Sequence, residues 1–93
     1  MTLEIVSPEA KLYSGEVTSV TVPGIDGEFQ MFNQHAAIVS ILAKGNIKIE
    51  AAKFEPTKEG ASHFVAAASN KYHLAIDSGT LEMNDNKIII LVD

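Results

Sequence analysis

The sequence predicts an all-β fold, a two-sheet β-sandwich of about eight to ten short strands. Three observations carry that prediction. Short apolar stretches alternate with polar residues along most of the chain, and turn-forming residues punctuate them at close intervals. Only one segment, Gln34 to Lys44, spaces its apolar residues as a helix would.

Taken in order, Thr2 to Val6 sets Leu3 and Ile5 on one face and Glu4 on the other, as a half-buried strand does. Ser7-Pro8-Glu9 ends it, because proline gives no hydrogen bond to the ladder. Tyr13-Ser14-Gly15 reads as a turn. Val17 to Val22 is rich in β-branched residues that suit a pleated surface, and Glu28 to Phe32 follows the Asp26-Gly27 turn as its partner strand. Gln34 to Lys44 leaves two readings open. Ala37, Ile38, Ile41 and Leu42 fall at helical spacing with Gly45 placed as a C-cap, whereas Ile38, Val39 and Ile41 are β-branched. Ile47 to Ala51 alternates cleanly, and Lys53 to Ser62, with Pro56, Gly60 and no period, is a loop or a long hairpin tip. His63 to Ser69 and Tyr72 to Asp77 are strands joined by an Asn70-Lys71 turn. Ser78-Gly79 interrupts, Thr80 to Met83 resumes, and Asn84-Asp85-Asn86 turns the chain into Lys87 to Val92. The apolar run Ile88 to Val92 calls for cover on both faces, either by a central place in the sheet or by a partner chain outside it.

The chain of 93 residues forms one domain, 1–93, since either half is too small to bury a core. Its hydrophobic content of 46% excludes a disordered chain. Having no cysteine, it has neither disulfides nor thiolate chemistry, which suits a reducing compartment. It shows no basic-then-apolar leader and no apolar run near the ~20 residues of a membrane helix, so the expectation is a cytoplasmic protein with no direct membrane insertion. The net charge of −5, with no Lys/Arg cluster, excludes nucleic acid as a partner and opposes adhesion to anionic lipid. Near a membrane, such a chain is held there by another protein.

Chemistry is sparse. His35, His63 and His73 lack the HxH or HxxxH spacing that puts two ligands on one face, so no metal is expected. Asp26 and Glu28 sit in a turn where acidic residues are common. No nucleophile signature and no glycine-rich loop entering a helix is present, so neither catalysis nor a cofactor is expected. The candidate functional stretch is Val22 to His35. Pro23-Gly24 and Asp26-Gly27 read as turn dipeptides, Phe29, Met31 and Phe32 follow, and the run closes on His35. Either these bulky groups point into the core, or some of them form an edge that meets another protein.

Ile5-Val6-Ser7-Pro8-Glu9, Tyr13-Ser14-Gly15, Pro23-Gly24-x-x-Gly27-Glu28, His35-Ala36, Leu42-x-x-Gly45 and Ser78-Gly79-x-Leu81-Glu82 form an ordered set. Together they resemble the N-terminal β-sandwich of the epsilon subunit of F-type ATP synthases, called delta in mitochondria. The likeness spans nearly the whole chain apart from about Ala52 to Tyr72. It implies a non-catalytic central-stalk rotor subunit that couples the gamma subunit to the membrane c-ring in proton-driven ATP synthesis, at the cytoplasmic face of the bacterial inner membrane. It places the Gly27-Glu28 turn near the c-ring and the stretch through His35 near gamma and c contacts. The partner-binding residues it implies are therefore Gly27, Glu28, Phe29, Met31, Phe32 and His35, with Glu28 pairing with a basic or backbone-donor group on a c-ring loop. It also makes Gln34 to Leu42 mainly extended.

Three departures accompany the resemblance. Gln30-Met31-Phe32-Asn33-Gln34 replaces the family's Gly-Ile/Leu-Leu/Tyr-Pro-Gly, with Asn33 as the residue that tolerates a left-handed bend. Ala52 to Tyr72 is longer than usual, so its pairing does not transfer. The family's C-terminal helical hairpin, which senses nucleotide, has no residues in this sequence, so no ATP binding is expected. The rival reading is a free-standing small β-sandwich that binds a ligand, marked by a concave pocket lined with aromatics.

Overall fold

The computed structural model describes all residues, 1–93. Ten strands run in chain order: β1 (Thr2–Val6), β2 (Lys11–Glu16), β3 (Ser19–Gly24), β4 (Gly27–Phe32), β5 (Ile38–Leu42), β6 (Gly45–Glu50), β7 (Phe64–Ala68), β8 (Lys71–Ile76), β9 (Gly79–Asn84) and β10 (Lys87–Val92). A single 3-10 turn, Ala61–His63, precedes β7. The strands form two five-stranded halves, β2-β1-β10-β9-β5 and β4-β3-β6-β8-β7, and the halves meet where Gly24 pairs with Leu42. All pairings are antiparallel except β1 with β10.

Alternation along the strands builds the core between the halves. One half contributes Leu3, Ile5, Leu81, Met83, Ile88 and Ile90, the other Val20, Val22, Ile47, Ile49, Leu74 and Ile76, all in one buried cluster. Each such side chain contributes about 1.5–3 kcal/mol on leaving water, which makes this contact the main source of stability. β10 is central, between β1 and β9, yet its outer face is bare: Leu91 is exposed and Ile89 half-buried. The apolar run thus has cover on one face only.

Of the two readings left open for Gln34 to Lys44, the extended one that the resemblance implies is the one observed: β5 pairs along its whole length with β9, and there is no helix. Several other local expectations are corrected. Tyr13-Ser14-Gly15 does not turn. It lies within β2, opposite β1, and Gly15 is needed there because a Cβ would come within 2.9 Å of the Tyr13 hydroxyl. The turn between β7 and β8 is Ser69-Asn70, with Asn70 left-handed at φ 62°, so Lys71 already belongs to β8. Ser78-Gly79 is a shorter interruption than expected, because Gly79 pairs with both Val92 and Leu42. The Asn84–Asn86 turn holds: Asp85 and Asn86 both take positive φ, 51° and 62°, as a two-residue type I′ hairpin requires.

Candidate functional site

The β3–β4 hairpin and the segment leading into β5 form one long margin of the sandwich. β3 pairs with β6 as far as Thr21 and with β5 at Gly24, so Pro23 falls where the ladder changes partner and its missing N–H costs nothing. Pro23-Gly24 therefore ends a strand; the turn itself is Ile25-Asp26. Gly27 closes it at φ +128°, a conformation glycine takes readily. Gly24 has a different role: a Cβ there would lie 2.8 Å from the Phe29 ring, so its bareness lets Phe29 fold over the hairpin.

The structure separates the six predicted partner residues. Met31 is fully buried in the core and Phe29 is half-buried against it, so both serve the fold of this chain. Phe32 points outward and is exposed, as are Gly27, Glu28 and His35. Glu28 already has a partner within the chain, since one of its carboxylate oxygens lies 3.0 Å from the Lys48 ammonium. His35 is tied to its own loop: its N–H donates to the Phe32 carbonyl at 3.2 Å, and Nδ1 lies 2.7 Å from the Ala36 carbonyl oxygen.

The bend after β4 is made by Gln34, left-handed at φ 65°, and not by Asn33. Asn33 is used instead as a tether. Its Oδ1 accepts from the N-terminal ammonium at 3.2 Å and from Asn86 Nδ2 at 2.6 Å, while Asn86 Oδ1 accepts the Gln34 N–H at 2.8 Å. The loop is thus fixed to the β9–β10 turn and to the chain start without a proline.

Sequence reasoning missed the apolar surface that adjoins these residues. Of six exposed large hydrophobic side chains, Ile25, Phe32, Val39 and Ile41 all belong to this margin; Val39 is 78% exposed. The β-branched character of Val39 and Ile41 was visible, but only the β5–β9 register shows them facing out. The opposite margin is closed. Phe54 stacks on Tyr13 at 4.9 Å and on Tyr72 at 3.9 Å between ring centroids, with Phe64 edge-on at 5.1 Å. Burial pushes the Tyr13 hydroxyl above its usual pKa, and the nearby Glu16 and Glu55 carboxylates add to the shift.

These aromatics fill space against one another, and of the four only Tyr13 lines either of two open clefts. The clefts are of about 570 and 590 Å³; the first is lined by Ser7, Lys44 and Asp93 beside Leu74 and Ile76, the second by Tyr13 and Val17 beside Ser14, Thr18 and Lys53. No three His, Asp or Glu side chains are grouped to hold a metal ion. No helix is long and apolar enough to cross a membrane. The fold and this margin define a β-sandwich whose exposed large apolar side chains gather mainly on the β3–β4 hairpin and β5.

The family is identified by comparison. The model for the ATP synthase delta/epsilon chain, β-sandwich domain, matches residues 1–93, and the chain belongs to that family. The chain is 40% identical over 88 residues to the ATP synthase epsilon chain of Campylobacter jejuni strain 81-176, covering 95% of this chain and 57% of that one. It is 32% identical over 91 residues to the epsilon chain of Helicobacter pylori strain 26695, covering 98% and 61%. The chain therefore spans about three-fifths of the length of these relatives. The fold is shared with a chain of the Euglena gracilis mitochondrial ATP synthase OSCP/F1/c-ring structure, at TM-score 0.74 and 20% identity over 97% of this chain and 48% of that one. A chain of the Tetrahymena thermophila mitochondrial ATP synthase central stalk/c-ring structure gives TM-score 0.71 and 18% identity over 99% and 62%.

Proposed function

We propose that this domain is the coupling piece of an ATP synthase central stalk, binding the gamma subunit and the c-ring at the cytoplasmic face of a bacterial inner membrane and catalysing nothing itself. The observation that carries this reading is that four of the six exposed large apolar side chains, Ile25, Phe32, Val39 and Ile41, belong to the β3–β4 hairpin and β5, with Val39 and Ile41 on one outer face of β5. Exposed apolar residues scattered singly are ordinary, whereas their concentration on neighbouring elements favours a surface that another protein covers. Family membership supplies the identity of the complex, and the structures sharing the fold come from stalk and c-ring assemblies. A rotor part works by permanent contact, and a sandwich with a rigidly tethered loop presents that contact without having to order a mobile segment first.

Glu28, at the hairpin tip, is the group assigned to the c-ring. Its pairing with Lys48 at 3.0 Å holds the carboxylate in place, and its half-exposed position makes it steer the encounter more than hold the complex. Glu28→Lys puts a second ammonium beside Lys48 and reverses the tip charge. The expected outcome is association with purified c-ring weakened about tenfold, with the fold intact by circular dichroism. Unchanged association removes Glu28 from the interface.

A further inference from the structure

Residues 52–63 run from β6 to β7 outside every strand and reach the edge of β2 on the way. Irregular connections of about a dozen residues are uncommon in compact domains and usually act as lids or binding loops. This one is bonded to the sandwich through a single residue. Every hydrogen bond from residues 52–62 to the rest of the chain is made by Thr57. Its N–H donates to the Leu12 carbonyl at 3.1 Å, and its hydroxyl lies 2.6 Å from the Lys11 carbonyl oxygen and 3.1 Å from that of Leu12. The remaining bonds are internal: the Gly60 and Ala61 N–H groups return to Thr57, the His63 N–H to Gly60, and Lys53 pairs with Glu55 at 3.0 Å.

The packing is concentrated in the same way. Phe54 is the one aromatic side chain of the segment, set between Tyr13 and Tyr72 with Phe64 edge-on, and Gly60 lets the backbone lie directly on that of Leu12. Most of the rest, Lys53, Glu55, Lys58 and Glu59 among it, is exposed. The two ends are fixed independently of Thr57. Ala51 is buried, with its N–H on the Asn70 carbonyl at 2.9 Å, and Phe64 starts the β7 ladder opposite Leu74. Release of Thr57 and Phe54 therefore frees the whole segment between two anchored points without breaking a strand pair.

We propose that residues 52–63 are a strap that opens as one unit while both halves of the sandwich stay folded, with Thr57 as its latch, and that it gates the edge of β2. Segments with few hydrogen bonds and few apolar contacts to the body open more readily than the molecule unfolds. Closed, the strap occupies the Lys11 and Leu12 carbonyls and covers a face of the Tyr13 and Tyr72 rings. Open, it leaves two strand-edge acceptors bare beside an apolar patch, the combination that invites pairing with a further strand. The strap thus keeps β2 unavailable except while it is open. This device is independent of the coupling role, since it involves only contacts within the chain.

Amide hydrogen exchange on the 93-residue chain, read by NMR across a urea series, tests this. The Thr57, Gly60, Ala61 and His63 amides are expected to share one opening, at least about tenfold more frequent than that of central-strand amides such as Ile5 and Ile90. Their opening is expected to grow with urea, less steeply than the core's but above zero, because rings are uncovered. Thr57→Val, which removes the hydroxyl, is expected to raise exchange at Ala61 and His63 about fivefold, and Thr57→Ser, which keeps it, to stay near the native rate. Ile88→Val weakens the core alone and is expected to speed the Ile5 and Ile90 amides about fivefold while leaving the strap amides unchanged, since the open form keeps the core. Strap amides that quicken together with the core in Ile88→Val would show that they exchange only by global unfolding. Four unrelated rates, or slopes of zero in urea, would show separate fluctuations and no common unit. Unchanged Ala61 and His63 exchange in Thr57→Val would show that Thr57 is not the latch. Any of these three results overturns the proposal.

Discussion

The two long margins of this sandwich are finished in opposite ways. At the β2/β7 margin the chain spends residues 51–63 on closure. Thr57 caps the β2 backbone, Gly60 sits so close to Leu12 that a Cβ would come within 2.0 Å of its carbonyl oxygen, and Phe54 is sandwiched between Tyr13 and Tyr72. At the β4/β5 margin the end of β5 is met by the hairpin, where the Ile25 N–H donates to the Ile41 carbonyl and Gly24 pairs with Leu42, but no segment lies along β4, and four large apolar side chains stand in solvent. Both margins use the same material, apolar side chains beside strand edges. A chain able to close one edge from within, yet leaving the other bare, has its surplus apolar surface where a partner would lie.

The comparison breaks most easily on the closed margin. Phe54→Ala removes the ring between two stacked neighbours and leaves a gap the loop cannot fill, at an expected cost of about 3 kcal/mol in urea unfolding. A loss below about 0.5 kcal/mol would mean that the loop does not close the sandwich. A smaller effect sharpens the same contrast. Because burial raises the Tyr13 pKa above 10.0, the unfolded chain loses that proton first. Stability from this group is therefore complete below about pH 10 and is lost as pH rises through the higher folded value. Tyr13→Phe is expected to flatten that alkaline decline in thermal melts while changing little at pH 7, and an identical decline in both proteins would contradict it.

Much of the fold was legible because its signals are local. Asp85-Asn86 and Asp26-Gly27 announce their turns through residues that accept positive φ or hydrogen-bond their own backbone, and the alternation in β1 and β6 shows which side chains go inside. The failures share another cause. Tyr13-Ser14-Gly15 carries turn residues, yet Gly15 is there for a tyrosine ring crossing it, a reason that lies in side-chain packing and not in φ. The aromatic stack joins positions 13, 54, 64 and 72, a contact no window along the chain contains. Gln34 takes the left-handed bend because Asn33 is occupied by the N-terminus and Asn86, both distant in sequence. Within the candidate site, the hairpin was readable and the outward direction of Val39 and Ile41 was not, since it follows from the β9 register.

The central claim is that the β4/β5 margin, and not the β2/β7 margin, carries the contact with the rest of the complex. Phe32→Ser with Val39→Ser on one margin and Val65→Ser on the other change side chains exposed to similar degrees, so each is expected to alter stability by no more than about 0.5 kcal/mol. Binding of the three proteins to purified gamma subunit, measured side by side by size exclusion and titration calorimetry, separates the margins. The account predicts affinity reduced at least about tenfold for the Phe32/Val39 variant and unchanged for the Val65 variant; full affinity of the former, or loss only in the latter, would contradict it.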